Sequence, residues 1–318
     1  MPYLRTAIFL LSITALTFTS AMTEAGQRVI THGGGKLVII DAQGEIEWEL
    51  PWGGIHDIHV LENGNIMVQR GMQRIVEIDR ETKEVVWSYD AARNNGNEGR
   101  PVEVHAFQPL ADGNIMLAES GPARIIEIDR EGNLKKEIKL KVDNPHPHHD
   151  TRLARKLESG NYLACHERDG KVREYDGKTG AVVWEYEVPL FDRERRGGHG
   201  PDGFGNQLFS AVRLPSGNTL IGTGNGHSVI EVTPEKDVVW KLSQTDLPEI
   251  TLAWVTTLEV LPNGNYVIGN CHAGSGQPLL VEIEPKSKKV VWTLDMHDTL
   301  GNDVSNSQIL GLDEPAIR

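Results

Sequence analysis

Residues 144–150, with the sequence NPHPHHD, hold three histidines and one aspartate within seven positions. Imidazole and carboxylate groups are ligands for zinc and copper, so this density makes metal binding one candidate function. Pro145 and Pro147 predict an extended segment in which alternate side chains point apart, which disfavours three ligands from this stretch alone. A metal site shared with His105 or His199, a contact with an anion or substrate, and a solvated loop all remain open. The candidate residues of the segment are His146, His148, His149 and Asp150.

The chain is acidic, with a formal net charge of -13 at pH 7 over 318 residues. Its length and its 39% hydrophobic content predict a soluble globular protein with a large core. The negative charge argues against nucleic acid or an anionic membrane as a partner, because both need a basic surface that displaces counterions. The 33 glycines and 16 prolines, without low-complexity runs, indicate many tight turns and favour an all-β protein.

The N-terminus has the pattern of an export signal. Arg5 precedes an apolar run over residues 7–18, and small residues follow at 19–21. The run is short for a membrane span and has the flanks of a cleaved signal peptide. We therefore predict a signal peptide over residues 1–26, with an uncleaved anchor as the alternative. Residues 27–318 should form one domain that is periplasmic or extracellular, without stable membrane insertion.

A repeat of short strands accounts for most of the remaining sequence. Five turns of a small residue, glycine and asparagine each lead into an apolar run, and glycine supplies the positive φ that tight hairpin turns need. Each unit then has a strand that ends at or near an acid and an outer strand that usually carries tryptophan. The turn glycines are Gly64, Gly113, Gly160, Gly217 and Gly264. The outer-strand residues are Trp48, Trp87, Trp184, Trp240 and Trp292, with Lys136 in the third unit. Four short strands per unit of about 40 to 55 residues is the period of a propeller blade.

The two ends of the chain complete one blade between them. The first unit lacks its innermost strand, and residues 305–313 form a C-terminal strand without a unit of its own. We predict an all-β fold, a six-bladed β-propeller of four-stranded blades, closed by the C-terminal strand joining the N-terminal blade. Closure of this kind removes the exposed strand edges that an open sheet would leave.

The repeat resembles two known kinds of propeller. Residues 175–188, YDGKTGAVVWEYEV, look like the tryptophan repeat of quinoprotein-type propellers, and residues 229–242, VIEVTPEKDVVWKL, are similar to units of bacterial arylsulfotransferase-like propellers. The resemblance spans nearly all of the mature chain and rests on residues that build blades, so it implies the fold more than an activity. Quinoprotein dehydrogenases use eight blades and dedicated quinone-binding residues, which this sequence lacks. Arylsulfotransferases have six blades, but they usually carry an additional N-terminal domain for which this chain has no room.

The strand register places all twelve histidines at one end of the propeller, opposite the glycine turns. Ligand sites of repeat proteins often gather in the loops at one end of a rigid scaffold, so this asymmetry is the main functional signal. The residues eight positions before each turn glycine should ring the channel mouth. They are His56, His105, Arg152, Phe209 and Thr256. This mixture suits an oxyanion attached to an aromatic ring or a sugar, while a polar, wet channel without a ligand is the alternative.

The longest loop, residues 189–206, joins the fourth and fifth blades. It is rich in glycine and carries Arg193, Arg195, Arg196 and His199 in an otherwise acidic chain. Long loops at a channel mouth are often functional, so we predict a lid, with a solvated surface excursion as the alternative.

Two cysteines, Cys165 and Cys271, fall in the second strands of the fourth and sixth blades. Those blades are not neighbours, and a disulfide needs Cα atoms within about 7 Å. We therefore expect both thiols to be free. A catalytic pair with the adjacent histidine is disfavoured, since consecutive strand side chains face opposite ways.

Two functions from different classes follow from this reading. The first is binding of a small anionic or aromatic ligand, a glycan or a protein at the channel mouth. Its predicted ligand contacts are His59, Phe209, Thr256, His199, His227 and His272. The second is group transfer as in arylsulfotransferases, with His56, His105 or His149 as the nucleophile and Arg152 stabilising the oxygens. No local motif identifies the nucleophile, and the sequence specifies neither a cofactor nor a metal.

Overall fold

The computed structural model describes residues 26–318 of the chain. The predicted signal peptide lies, apart from residue 26, outside the described residues. Within residues 26–318 no helix is long and apolar enough to cross a membrane.

The described chain forms six antiparallel sheets of four strands each, as the repeat predicts. Each sheet is one propeller blade, and blade 1 holds the two ends of the described chain. Blade 1 comprises β1 (Arg28–Gly33), β2 (Lys36–Ile40), β3 (Ile46–Pro51) and, from the C-terminus, β24 (Ser307–Leu310). Blade 2 comprises β4 (Ile58–Val60), β5 (Ile66–Arg70), β6 (Arg74–Ile78) and β7 (Val85–Asp90). Blade 3 comprises β8 (Glu103–Pro109), β9 (Ile115–Ser120), β10 (Arg124–Ile128) and β11 (Leu134–Lys139). Blade 4 comprises β12 (Ala154–Lys156), β13 (Tyr162–His166), β14 (Lys171–Tyr175) and β15 (Val182–Glu187). Blade 5 comprises β16 (Ser210–Arg213), β17 (Thr219–Gly222), β18 (Ser228–Val232) and β19 (Val238–Ser243). Blade 6 comprises β20 (Trp254–Val260), β21 (Tyr266–Cys271), β22 (Leu280–Glu284) and β23 (Lys289–Leu294).

Within residues 26–318, helical structure is confined to three single turns in loops. They are two 3-10 turns and one α-helical turn, α1: Ala91–Arg93, Gln244–Asp246 and His297–Leu300.

The ring closes between the two ends of the chain, which confirms the predicted closure. Strand β24 pairs antiparallel with β1, and Ile309 lies opposite Val29. Strand β24 is therefore the innermost strand of blade 1, and β1, β2 and β3 follow it outward. Blade 1 therefore combines strands from both ends of the described chain, and this pairing closes the ring.

The five glycine turns join the first and second strands of blades 2 to 6, all at the same end of the channel. Gly64, for example, has a φ of 85°, which glycine adopts without steric cost. The asparagine after it donates a side-chain hydrogen bond to Glu77 of the third strand at 2.7 Å. The same asparagine-to-glutamate contact recurs in blades 4, 5 and 6. These contacts explain why the repeat combines a turn asparagine with an acid in the third strand.

The outer-strand tryptophans connect each blade to the next. Trp48 donates its indole N–H to the carbonyl of Arg80 at 2.8 Å, and Trp184 donates to the carbonyl of Pro234 at 3.0 Å. In blade 3, where tryptophan is replaced, the Lys136 ammonium lies 5.2 Å from the centre of the Tyr162 ring of blade 4. The second strand of each blade, counted outward from the channel, is almost entirely buried, so the blades hold the loops at both ends of the channel in place.

Candidate functional site

A cavity of about 560 Å³ opens at the end of the channel away from the glycine turns. We call it the histidine cavity. Its polar lining residues are His32, His56, His148, His149, Arg152, Glu167, His199, Thr256, His272, Asp303 and Ser305. Its apolar and backbone walls come from Gly33, Gly34, Gly35, Trp52, Gly53, Gly54, Ile55, Phe209, Trp254 and Cys271.

Four of the five residues predicted to ring the channel mouth lie close together. The His56 and His105 rings are 4.6 Å apart between centroids, and Arg152 donates to Nδ1 of His105 at 3.1 Å. The Arg152 guanidinium also lies 5.7 Å from the centre of the Phe209 ring. A β-bulge between Val104 and Ala106 breaks the pairing of β8 with β9 at His105. Bulges redirect a side chain, and this one directs His105 toward the channel.

Thr256, the fifth residue of the predicted ring, lines the cavity but has a partner within the fold. Its hydroxyl donates to the carbonyl of Val304 at 3.3 Å, and it lies in an irregular part of β20 between Val255 and Leu258. It therefore offers an acceptor oxygen to the cavity.

The segment 144–150 forms a tight turn, so the prediction of an extended segment was wrong. The backbone N–H groups of His149 and Asp150 both donate to the carbonyl of His146, at 2.8 and 3.0 Å. The Asp150 carboxylate accepts from the backbone N–H of His146 and, at 3.0 Å, from that of Gly121. Asp150 is thus a turn-forming residue, and the turn directs His148 and His149 together into the cavity. His146 packs on His149 and does not line the cavity.

His149 and Arg152 share a buried carboxylate that the sequence did not point to. Glu167 accepts from Nδ1 of His149 at 3.0 Å and from Nε of Arg152. Burial works to raise the pKa of Glu167, but its hydrogen bond to His149 and its contacts with Arg152 hold the pKa below its ordinary value. The carboxylate fixes the His149 ring with Nδ1 as donor, which leaves Nε2 for the cavity. In the sequence, the only signal for Glu167 was its position directly after His166.

A second carboxylate, Glu103, stands in the same relation to His148. Its Oε2 lies 2.7 Å from Nδ1 of His148 and 3.0 Å from Nε2 of His105. Glu103 and His105 are two residues apart on one strand, where side chains share a face. The Glu-Val-His spacing could have drawn attention to Glu103, but only the fold shows that His148 joins the pair.

Burial keeps several imidazoles of the cavity neutral near pH 7. It lowers the pKa of His32 to about 4. Burial, followed by the charges of His105 and Arg152, holds the pKa of His56 well below its ordinary value. Burial and Arg152 do the same to the pKa of His105. Neutral imidazoles can accept as well as donate, which suits recognition of hydroxyl, carbonyl or metal partners.

The loop 189–206 contributes His199 to the cavity. The His199 ring lies 4.5 Å from the Trp254 ring and 5.4 Å from the His272 ring. The loop is tied back on itself by an antiparallel bridge between Arg196 and Phe204. Burial lowers the pKa of His272. Whether this loop moves as a lid stays a prediction.

His227, predicted to contact a ligand, does not line the cavity. It is buried, and its two ring nitrogens lie 2.7 Å from the carbonyl of Leu252 and 2.5 Å from that of Gly203. These contacts tie the loop 189–206 to blade 5 and the following loop. The expectation for His227 is therefore corrected to a structural role, because both of its nitrogens are already occupied by the backbone.

His59 overturns the expectation that all twelve histidines lie at one end. It lines a second cavity of about 710 Å³ at the glycine-turn end, and its Nε2 lies 2.8 Å from the carbonyl of Phe107. Three residues along an extended chain from His56 move a side chain about 10 Å down the channel. We call this second space the arginine cavity. Its charged lining residues include Arg155, Lys156, Glu158, Glu174, Arg213 and Arg318.

Both cysteines are free and buried, as expected. They belong to β13 and β21, in blades that do not adjoin. Burial raises the pKa of both thiols, which disfavours a thiolate nucleophile even though Cys271 borders the histidine cavity.

A family profile described as "Outer membrane protein assembly factor BamB" matches residues 33–294. The chain belongs to this family of PQQ-like repeat propellers. The predicted likeness to quinoprotein propellers is thereby confirmed, whereas the likeness to arylsulfotransferases stays a prediction. No curated protein matches the chain in sequence.

Solved structures share the propeller fold of this family member at low sequence identity. A protein of unknown function from Bacteroides caccae has 23% identity and a TM-score of 0.72, over 92% of this chain and 99% of that chain. A streptogramin B lyase has 12% identity and a TM-score of 0.56, over 91% of this chain and 95% of that chain. Virginiamycin B lyase from Staphylococcus aureus has 12% identity and a TM-score of 0.53, over 78% and 72%. At these identities the likeness extends to the fold alone.

Proposed function

We propose that the protein binds a small molecule with a flat ring in the histidine cavity. The proposal rests on one observation: a single channel mouth combines three aromatic side chains with six histidines. The aromatic walls are Trp52, Phe209 and Trp254. The volume of about 560 Å³ is in the range of small-molecule sites, which are mostly apolar with a few converging polar groups.

Polar groups at one side of the cavity would orient the ligand. His148 and His149 are partly exposed, and each has Nδ1 against a glutamate, so Nε2 is left for a ligand. Arg152 is almost fully buried beside them and held by Glu167. An oxygen-bearing substituent on the ring, such as a hydroxyl or an oxyanion, would complement this set.

Tryptophan fluorescence offers the test of binding. The metal-free protein, treated with a chelator, is titrated with 4-nitrophenol, 4-nitrophenyl sulfate and indole. At least one probe should saturate the quenching, and Trp254→Phe should reduce the quenched fraction because Trp254 is in the cavity wall. Arg152→Lys should weaken binding of the sulfate roughly tenfold, since lysine cannot reproduce the planar fork. Saturable binding that is insensitive to both substitutions, or no saturable binding by any probe, would overturn the proposal.

A matched substitution controls for general effects of charge and stability. Arg213 lines the arginine cavity and pairs with Glu174 at 2.7 Å, as Arg152 pairs with Glu167. Arg213→Lys should leave the affinity for each probe unchanged. Equal losses in the two variants would place the effect in the fold and not in the histidine cavity.

Group transfer is a second candidate, and the Glu167–His149 contact favours it. In this reading the Nε2 lone pair of His149 attacks the sulfur of an aryl sulfate, and the sulfur–oxygen bond to the ring breaks. The aryloxide leaves and takes a proton from water, while Glu167 stabilises the imidazolium through Nδ1–H. A phenol oxygen then attacks the sulfur, the nitrogen–sulfur bond breaks and the phenol proton passes to solvent.

Release of 4-nitrophenol from 4-nitrophenyl sulfate, with phenol as acceptor, tests group transfer directly. His149→Ala should abolish turnover, and His105→Ala should reduce it, if His105 only supports Arg152. A rate equal to the uncatalysed background in the unmodified protein would leave binding as the function.

We also propose that the protein is exported. The N-terminal pattern of Arg5 and an apolar run supports this, as does a family described by an outer-membrane assembly factor. The mass of the protein recovered from the periplasm or medium should correspond to a chain lacking about the first 26 residues. A full-length chain found only in the cytoplasm would contradict export.

A further inference from the structure

One cluster at the edge of the histidine cavity, which His148 lines, has the composition of a metal centre. Glu103, His105 and His148 each offer one ligand atom, and the three atoms lie within 4.8 Å of one another. Two of them belong to blade 3 and the third to the turn that follows it. Two histidines and one carboxylate form a recurrent ligand set for Zn²⁺ and Fe²⁺, in which remaining positions stay open.

The two distances that join Glu103 to the histidines of the cluster are close to those a metal needs. Two ligand atoms at about 2.1 Å from one ion, at angles of 90° to 109°, are about 3.0 to 3.4 Å apart. Oε2 of Glu103 lies 3.0 Å from Nε2 of His105 and 2.7 Å from Nδ1 of His148. All three ligand atoms lie within 4.8 Å of one another, and rotation of the side chains has to bring the two imidazole nitrogens to the same ion.

An unsatisfied atom points to a partner for this cluster. His105 is 1% exposed, and its Nε2 makes no hydrogen bond of acceptable geometry. Buried polar atoms of this kind are rare and usually indicate a missing ligand, ion or water. The negative charge of Glu103 also lacks a basic partner: over residues 26–318 no lysine or arginine forms an ion pair with it.

We propose that Glu103, His105 and His148 bind a divalent transition-metal ion of the Zn²⁺ type, with its open position toward the histidine cavity. The ion supplies the positive charge that Glu103 lacks and takes the free nitrogen of His105. This site is separate from the ligand proposal, because the ion binds to protein side chains whether or not a small molecule is present.

Metal binding has a consequence for Arg152. A neutral imidazole that binds metal through Nε2 carries its hydrogen on Nδ1. Arg152 now donates to Nδ1 of His105 at 3.1 Å, so this contact must break when the metal binds. Arg152 remains held by Glu167 through Nε, and its released Nη1 group becomes a donor for an oxyanion. The metal should therefore raise the affinity of the cavity for anionic ligands.

The test is metal binding by protein prepared without a histidine tag. Calorimetric titration with Zn²⁺ should give one ion per chain, and Co²⁺ in its place should give the visible absorption of a low-symmetry nitrogen and oxygen site. Glu103→Gln and His148→Ala should each weaken binding at least about tenfold, as ligand changes do. His148 is on a partly exposed loop, so its removal keeps the protein folded even if Glu103→Gln does not.

His297→Ala serves as the matched control, because His297 lies in α1 and lines a different pocket. It should leave affinity, stoichiometry and the Co²⁺ spectrum unchanged. Absence of Zn²⁺ binding, or binding that both cluster variants retain in full, would overturn the site. The titration contains no aromatic probe, so its failure is distinct from failure of ligand binding, which is measured on metal-free protein.

Discussion

The two ends of the channel differ in what their charged groups do. In the arginine cavity each basic side chain has an acidic partner: Arg155 pairs with Asp57, Lys156 with Glu127, Arg213 with Glu174 and Arg318 with Glu259. At the histidine cavity Arg152 donates to His105 and to Glu167, while Nδ1 of His56 and Nε2 of His105 are buried without hydrogen-bond partners.

This difference separates a mouth that stabilises the fold from one suited to a ligand. Charges that pair with each other have few donors or acceptors left for a ligand, although Nε of Arg213 has no partner. A buried imidazole nitrogen without a hydrogen-bond partner lowers the stability of the fold, and such atoms occur mainly where a ligand or ion binds. The presence of polar residues at a mouth therefore does not by itself indicate a ligand site. The two mouths differ in how far their polar side chains pair with one another.

The largest expected effect is on stability at the arginine end. Asp57 is fully buried and accepts from Arg155 at 2.7 and 2.9 Å. Asp57→Asn leaves the Arg155 charge uncompensated and should lower the free energy of unfolding by about 3 to 5 kcal/mol. Urea denaturation followed by circular dichroism measures this.

Glu103→Gln is the comparison at the histidine end. The Glu103 side chain is a quarter exposed and, within residues 26–318, forms ion pairs only with histidines, so the loss of unfolding free energy should be below about 1 kcal/mol. Similar losses for Asp57→Asn and Glu103→Gln would break the distinction between the two mouths.

The pH dependence of stability should separate the two ends. The folded pKa of His32 is about 4, below the ordinary 6.5, so the folded state binds fewer protons between these values. Stability is full above pH 6.5 and is lost as pH falls toward 4, with about 3 kcal/mol assigned to His32. Nearby Arg155 and His59 outweigh burial and hold the pKa of Asp57 far below its ordinary 3.8. The Asp57 contribution is therefore lost only below pH 4.

Unfolding titrations at a series of pH values, with His32→Gln beside the unmodified protein, check this assignment. Glutamine can still accept the backbone N–H of Ser305, which lies 3.1 Å from Nε2 of His32. The variant should lose about 3 kcal/mol less than the unmodified protein between pH 6.5 and 4. If the free energy of unfolding falls equally in both proteins between pH 6.5 and 4, His32 is not the source of this loss of stability.

The smallest expected effect concerns two histidines at opposite ends. His199 is exposed on its loop and lies against Trp254, so His199→Ala should weaken probe binding only a few-fold. His59→Ala should leave probe affinity unchanged, because His59 faces the arginine cavity. The fluorescence titration measures probe affinity in both variants. A larger loss of affinity in His59→Ala than in His199→Ala would reverse the assignment of the two mouths.

The fold was predictable because each blade repeats local signals. Turn glycines, acids in the third strand and outer tryptophans recur at a fixed spacing, and the C-terminal strand had no other place to pair. The same register placed His56, His105, Arg152 and Phe209 at one level, where the structure brings them together.

The rest of the site depends on contacts that spacing does not encode. Glu167 meets Arg152 and His149 through a loop between blades, and Glu103 meets His148 because Asp150 closes a turn. His59 was misplaced because it was grouped with His56, although it lies three residues closer to the turn glycine Gly64. Side-chain pairing across blades, unlike blade number, requires the folded geometry.

A crystal soaked with 4-bromophenyl sulfate tests the central claim most directly, because the anomalous signal of bromine locates the ring. One bromine peak is expected in the histidine cavity, with the ring against Trp254 or Phe209 and the sulfate beside Arg152 and His149. A peak in the arginine cavity, or a crystal saturated with the compound that shows no peak in the histidine cavity, would contradict it.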